Sequence, residues 1–138
     1  YDTDVFSPLL NKLSDLCGIK YTAGDDSQSV AFRVIVDHVR AVSFSICDGQ
    51  LPSNTGAGYV IRRILRRAIR YGYSFLGFEK PFINQLVAAL QDALGDAFPE
   101  LSTQKDLIVR VIKQEEESFL RTLAKGIELL QGYLKKMN

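Results

Sequence analysis

The run from Ser29 to Cys47 constrains this chain more than any other stretch, because it is apolar nearly all round. Val30, Phe32, Ile35, Val36, Val39, Val42, Phe44 and Ile46 follow one another with little polar interruption. Locally the run favours a strand: β-branched residues are frequent and Val42-Ser43-Phe44-Ser45-Ile46 alternates. Its length decides otherwise. Strands rarely extend this far, whereas a helix that is apolar all round is stable at the centre of a bundle. Arg33, Asp37 and Arg40 stand at i, i+4 and i+7 on one stripe of that helix, a spacing that predicts a local ion-pair ladder.

The other segments supply helices to surround it. Ser7-Pro8 offers an N-cap followed by a first-turn proline, and Gly18 offers a stop, so a first helix is expected from Pro8 to Leu16. Ile19 to Gln28, with Gly24, Asp25, Asp26 and Ser27, has no period and reads as a loop with a cap at its end. Asp48-Gly49 closes the central helix. A third helix follows the loop through Gly58 and runs to Leu76 or Gly77. Pro81 opens a fourth, with Phe82, Ile83, Leu86, Val87, Leu90 and Leu94 as its apolar set, ended by Gly95 and the Phe98-Pro99 break. From Ser102 or Thr103 the helical period continues to Met137, on the order of 50 Å, with Gly126 and Gly132 weakening the far end. The expected fold is all-α, a bundle of about five main helices with a long C-terminal helix, forming a single domain over residues 1–138.

Composition excludes several function classes. The net charge of +1 is nearly balanced over the chain, so any electrostatic partner must be recognised locally. Cys17, Cys47 and the single histidine, His38, provide neither a zinc spacing nor a disulfide framework. Two free thiols fit a reducing, cytoplasmic setting. No apolar run is long enough to span a bilayer, and no signal-peptide pattern opens the chain. The start at Tyr1-Asp2-Thr3 and the finish inside a helical pattern lead to the expectation of a piece of a longer protein.

The charge is local indeed. A polar, Gly-rich loop, Leu51-Pro52-Ser53-Asn54-Thr55-Gly56-Ala57-Gly58-Tyr59, opens into a helix carrying Arg62, Arg63, Arg66, Arg67 and Arg70. At about 100° per residue the five arginines share one arc of roughly 140°, opposite Ile61, Ile64, Leu65, Ala68 and Ile69. A face of guanidinium groups bordered by Tyr59 and Tyr73 suits phosphates and stacked bases. The plainer alternative is a solvated basic face, paired with acids elsewhere or with Glu115-Glu116-Glu117. Ser53 and Asn54 precede a helix N-terminus, where Gly56 and Gly58 allow an anion to approach free amides. Asn54 carries both a donor and an acceptor, as reading a base edge in the shallow minor groove of RNA requires, or else it serves as a helix cap.

Other candidates carry less. The glycines of the loop follow no strand and lack a third member, which excludes a dinucleotide fingerprint. His38 adjoins Asp37, but neighbours on a helix diverge by about 100°, so a catalytic dyad is not expected. The Glu115 to Glu117 run is expected to be a solvated face without chemistry. No paired catalytic carboxylates, Walker sequence or metal-ligand cluster is apparent, and a self-sufficient enzyme is not expected.

Three segments taken together resemble the alanyl-tRNA synthetases: Ala31-Phe32-Arg33-Val34-Ile35-Val36-Asp37-His38-Val39-Arg40-Ala41, Asp48-Gly49-Gln50-Leu51-Pro52-Ser53-Asn54, and Gly58-Tyr59-Val60-Ile61-Arg62-Arg63-Ile64-Leu65-Arg66-Arg67-Ala68. The likeness covers nearly the whole chain, from Tyr1-Asp2-Thr3-Asp4 through Glu115-Glu116-Glu117-Ser118-Phe119-Leu120-Arg121-Thr122-Leu123. It corresponds to the helical tRNA-recognition region that follows the class II catalytic core.

The resemblance implies a ligase that joins alanine to its tRNA using ATP and Mg²⁺, with this region docking on the acceptor stem and reading its G·U wobble pair. It assigns the reading role to Asn54 and phosphate contacts to Arg62, Arg63, Arg66 and Arg67; beside them, the loop and helix-face reading adds Ser53, Gly56, Gly58, Tyr59 and Arg70 as candidate further contacts. Ala57 departs from it, since many relatives carry arginine there. The catalytic core, a second recognition aspartate and the zinc-bearing editing domain are expected outside this chain. Alone it is expected to be catalytically inactive and to depend on the remaining domains of the synthetase. The competing expectation is a helical protein–protein interaction module that binds no RNA.

Overall fold

In the computed structural model, which describes residues 6–136, six helices and no strands are formed among the described residues. They are α1 (Phe6–Cys17), α2 (Ser27–Cys47), α3 (Gly56–Leu76), α4 (Ile83–Leu94), α5 (Pro99–Thr103) and α6 (Lys105–Lys136). The all-α expectation holds. So does the central place of the apolar run: α2 packs against all five other helices and buries nine residues, including Phe32, Ile35, Val36, Val39 and Ile46. Its extended N-cap, Asp26, accepts a hydrogen bond from the Ser29 amide (3.2 Å), and its hydroxyl partner Ser29 donates a second (2.7 Å). Both bonds favour the carboxylate and hold the Asp26 pKa below its ordinary value.

Around α2 the core is continuous, with Leu9 and Leu13 of α1, Leu65 and Ile69 of α3, Leu86 and Leu90 of α4, Leu101 of α5, and Ile108 and Ile112 of α6. The predicted ladder on α2 forms by half. Asp37 pairs with Arg40 at 3.5 Å, whereas Arg33 turns to the Tyr21 hydroxyl (3.3 Å) and Asp25 (3.9 Å).

The boundaries differ from expectation where capping is not local. α1 begins at Phe6, so Ser7 and Pro8 lie in its first turn. α4 begins at Ile83, two residues beyond Pro81, because its first amides are capped from α6: the Phe82 N–H donates to Glu116 Oε2 (2.9 Å) and the Ile83 N–H to both carboxylate oxygens (3.1 and 3.3 Å). Glu116 is fully buried. The solvated face expected for the Glu115 to Glu117 run is therefore wrong at its centre, where a buried carboxyl takes the place of water at the α4 N-terminus.

Ser102 and Thr103 belong to the short α5, which Pro99 starts; the chain breaks at Gln104 before α6. The Gln91 side chain donates to the Leu101 carbonyl (2.6 Å) and Gln104 to that of Cys47 (3.3 Å), tying α5 to α4 and α2. α6 is helical straight through Gly126 and Gly132 to Lys136; the expected end at Met137 lies outside the described residues. At 1.5 Å per residue it is about 48 Å long. Among the described residues its last buried one is Leu120 and the last to pack on the core is Leu123, and residues 124–136 are exposed.

Candidate nucleic-acid interface

The loop before α3 folds back on the helix it introduces. The Ser53 N–H donates to the Gly58 carbonyl (3.1 Å), and the Ser53 hydroxyl to that of Thr55 (2.9 Å). Such a closure leaves no room at position 58, where a Cβ would lie 2.2 Å from Ser53 Oγ and 2.5 Å from the Leu51 carbonyl. Gly58 is accordingly buried, and the space is used by the loop itself. Gly56 enters the helix at a φ of +62°, a conformation that side chains other than glycine rarely adopt.

Thr55 is the N-cap of α3, with extended backbone and no side-chain capping bond. Asn54 is thus released from the capping role that its sequence position allowed. It is exposed, and its Oδ1 accepts a hydrogen bond from Nη1 of Arg62 in α3.

The five arginines divide into two groups. Arg62 donates from Nη2 and Nε to the two oxygens of Glu115 (2.7 and 3.1 Å), a bidentate pair in which neither side chain is more than 19% exposed. For this residue the pairing with the acidic run of α6 is realised. Arg63, Arg66, Arg67 and Arg70 instead line one concavity of about 510 Å³ with Tyr71 and Phe119, and no acidic residue lines it. Aromatic faces support three of the guanidinium groups: Arg66 lies 5.0 Å from the Phe119 ring centre, Arg67 5.6 Å from Tyr71 and Arg63 5.9 Å from the exposed Tyr59. Arg66 Nε is buried in the cleft wall with no hydrogen-bond partner among the described residues. The cleft therefore concentrates four cations in a partly aromatic concavity that no acidic residue lines.

His38 of α2 lies on the other flank of the helix, lining a smaller hollow of about 210 Å³ with Val60, Arg63, Ile64 and Arg67. Its ring approaches Asp37 to 3.7 Å, closer than their 100° divergence suggested but longer than a hydrogen bond. Burial holds the imidazole below its ordinary pKa; Asp37 opposes that fall and Arg67 adds to it. The ring thus forms part of the wall of that hollow. Among the described residues no three His, Cys, Asp or Glu side chains are placed to hold a metal.

With this geometry in place, comparison with known proteins is direct. The whole chain, residues 1–138, matches the family described as tRNA synthetases class II (A). The chain belongs to that family. It is 57% identical over 138 residues to an alanine–tRNA ligase of Flavobacterium psychrophilum, covering 94% of this chain and 16% of that protein. The alanine–tRNA ligase of Porphyromonas gingivalis is 60% identical over 132 residues, with 95% of this chain and 15% of the relative covered. That of Christiangramia forsetii is 57% identical over 136 residues, 99% of this chain and 16% of the relative. The chain thus spans 15 to 16% of the length of these relatives.

Two residues of the site, Tyr71 and Phe119, escaped the sequence. Tyr71 lines the cleft, a place expected of Tyr73, which packs on the core. The i, i+4 spacing from Arg67 was the available signal. Phe119 reaches the site from α6 one turn beyond Glu115, whose pairing with the arginine face the sequence had offered; that i, i+4 spacing was the available signal.

Proposed function

We propose that this chain is the acceptor-stem-binding segment of an alanine–tRNA ligase, a cytoplasmic enzyme that joins alanine to its tRNA with ATP. The observation that carries the reading is the acid-free cleft of Arg63, Arg66, Arg67 and Arg70. Spread over about 10 Å of helix, these groups offer bidentate contacts to successive phosphates and hold the stem in register without reading its sequence. Asn54 does the reading. In a G·U wobble pair the guanine 2-amino group projects unpaired into the minor groove, where the Asn54 amide oxygen accepts from it. That oxygen has two lone pairs, and Arg62 occupies one. Ser53, Gly56 and Tyr59 border the contact, while Gly58 shapes the loop. ATP and Mg²⁺ belong to the catalytic core of the ligase, and zinc to its editing domain. The segment has no chemistry of its own.

A second reading has one observation in its favour. Leu129, Leu130, Tyr133 and Leu134 are exposed on the free half of α6, as a helical protein–protein module would present them. Gel shift with an acceptor-stem minihelix separates the two. RNA binding predicts a complex at low salt whose affinity falls steeply with salt, the slope set by the arginine contacts. A folded chain that gives no shift at low salt contradicts the proposal and supports the module.

A further inference from the structure

We propose that Glu115 of α6, acting through Arg62, is the positioning residue that sets the orientation of the Asn54 amide and so governs discrimination at the acceptor stem. The inference rests on Asn54 as the reading residue and adds what makes it one.

An exposed asparagine at the edge of a loop can rotate about its side-chain bonds and present either its oxygen or its amino group. Here one neighbour removes that freedom. Arg62 has only donors, so the group turned toward it must be Oδ1, whose second lone pair is left for the stem. Arg62 is itself held. Its Nε and Nη2 engage both oxygens of Glu115, leaving Nη1 as the fork's remaining corner for Asn54. With neither partner more than 19% exposed, the pair is shielded from solvent and salt, unlike the exposed Arg63, Arg67 and Arg70. Its charge is neutralised, which suits a bracket better than a phosphate clamp. The bracket also anchors the loop before α3 to α6 through Glu115, 53 residues from Arg62 along the chain.

The test uses the full ligase and compares kcat/KM for aminoacylation of stems carrying G·U or G·C. Variants are Asn54→Ala, Glu115→Gln, Arg62→Lys and the Asn54→Ala, Glu115→Gln double variant. Glutamine keeps the shape and one acceptor; lysine keeps the charge but loses the fork. The expected result is a roughly tenfold or greater fall in the G·U to G·C ratio for each single variant, and no further fall in the double. If Asn54→Ala lowers the ratio while Glu115→Gln and Arg62→Lys keep it, positioning is overturned and the reading by Asn54 stands. If Asn54→Ala keeps the ratio, the reading fails and positioning with it. Equal loss on both stems in Glu115→Gln and Arg62→Lys also overturns positioning, since that is the signature of a merely structural bridge.

Discussion

At the scale of single residues, two positions do work that their neighbours in sequence do not announce. Gly58 is one, because the loop closes through the volume a Cβ would fill. Gly58→Ala is expected to destabilise the chain by about 1–3 kcal/mol, measured by chemical denaturation. Glu116 is the other. Burial pushes its carboxyl from an ordinary 4.5 up to about 7; the Phe82 and Ile83 amides oppose the rise and the Glu117 charge adds to it. Because the folded state holds the proton more tightly than the unfolded state, this contribution to stability is fully present below about pH 4.5. It is lost as pH rises through 7. Denaturation midpoints should fall over that interval in the wild type and lose most of this slope in Glu116→Gln. Glu116→Ala, which strands two amides, should cost about 1–3 kcal/mol. An acidic triplet reads as a surface because charge is usually solvated; only the three-dimensional arrival of the α4 N-terminus makes its middle member a cap.

Among the elements, legibility followed range of interaction. α2 and α3 could be placed from their own residues, since an all-round apolar run and a two-faced helix state their surroundings directly. Helix stops at Gly18 and Gly77 were equally local. The starts of α4 and α6 were not, because one is capped from another helix and the other is preceded by a five-residue helix that Pro99 initiates. The arginine face was visible in sequence as one stripe, yet its division into a bracketed Arg62 and a four-arginine cleft depends on α6 lying beside it. The free half of α6 has its own consequence. With Leu120 the last buried residue, deletion of residues 125–138 should shift the unfolding free energy of the bundle by only about 0.5 kcal/mol. A collapse of the denaturation midpoint in that truncation would show that the exposed apolar stripe contributes to the fold.

Taken as a whole molecule, the bundle is a rigid frame that presents one loop and one helix face side by side. α2 supplies the core, α3 lies along it with its arginines outward, and α6 crosses to provide Phe119 and Glu115. The central claim is that this frame separates holding from reading: the cleft arginines set affinity and Asn54 sets discrimination. The direct measurement is the binding of two acceptor-stem minihelices, differing only in G·U against G·C, to the wild type, Arg67→Gln and Asn54→Ala over a range of salt. Arg67→Gln should weaken both stems equally and lower the salt slope by roughly 0.9, one phosphate's worth. Asn54→Ala should abolish the preference for G·U and leave the slope as it was. A preference that survives Asn54→Ala, or that disappears in Arg67→Gln, would contradict the account.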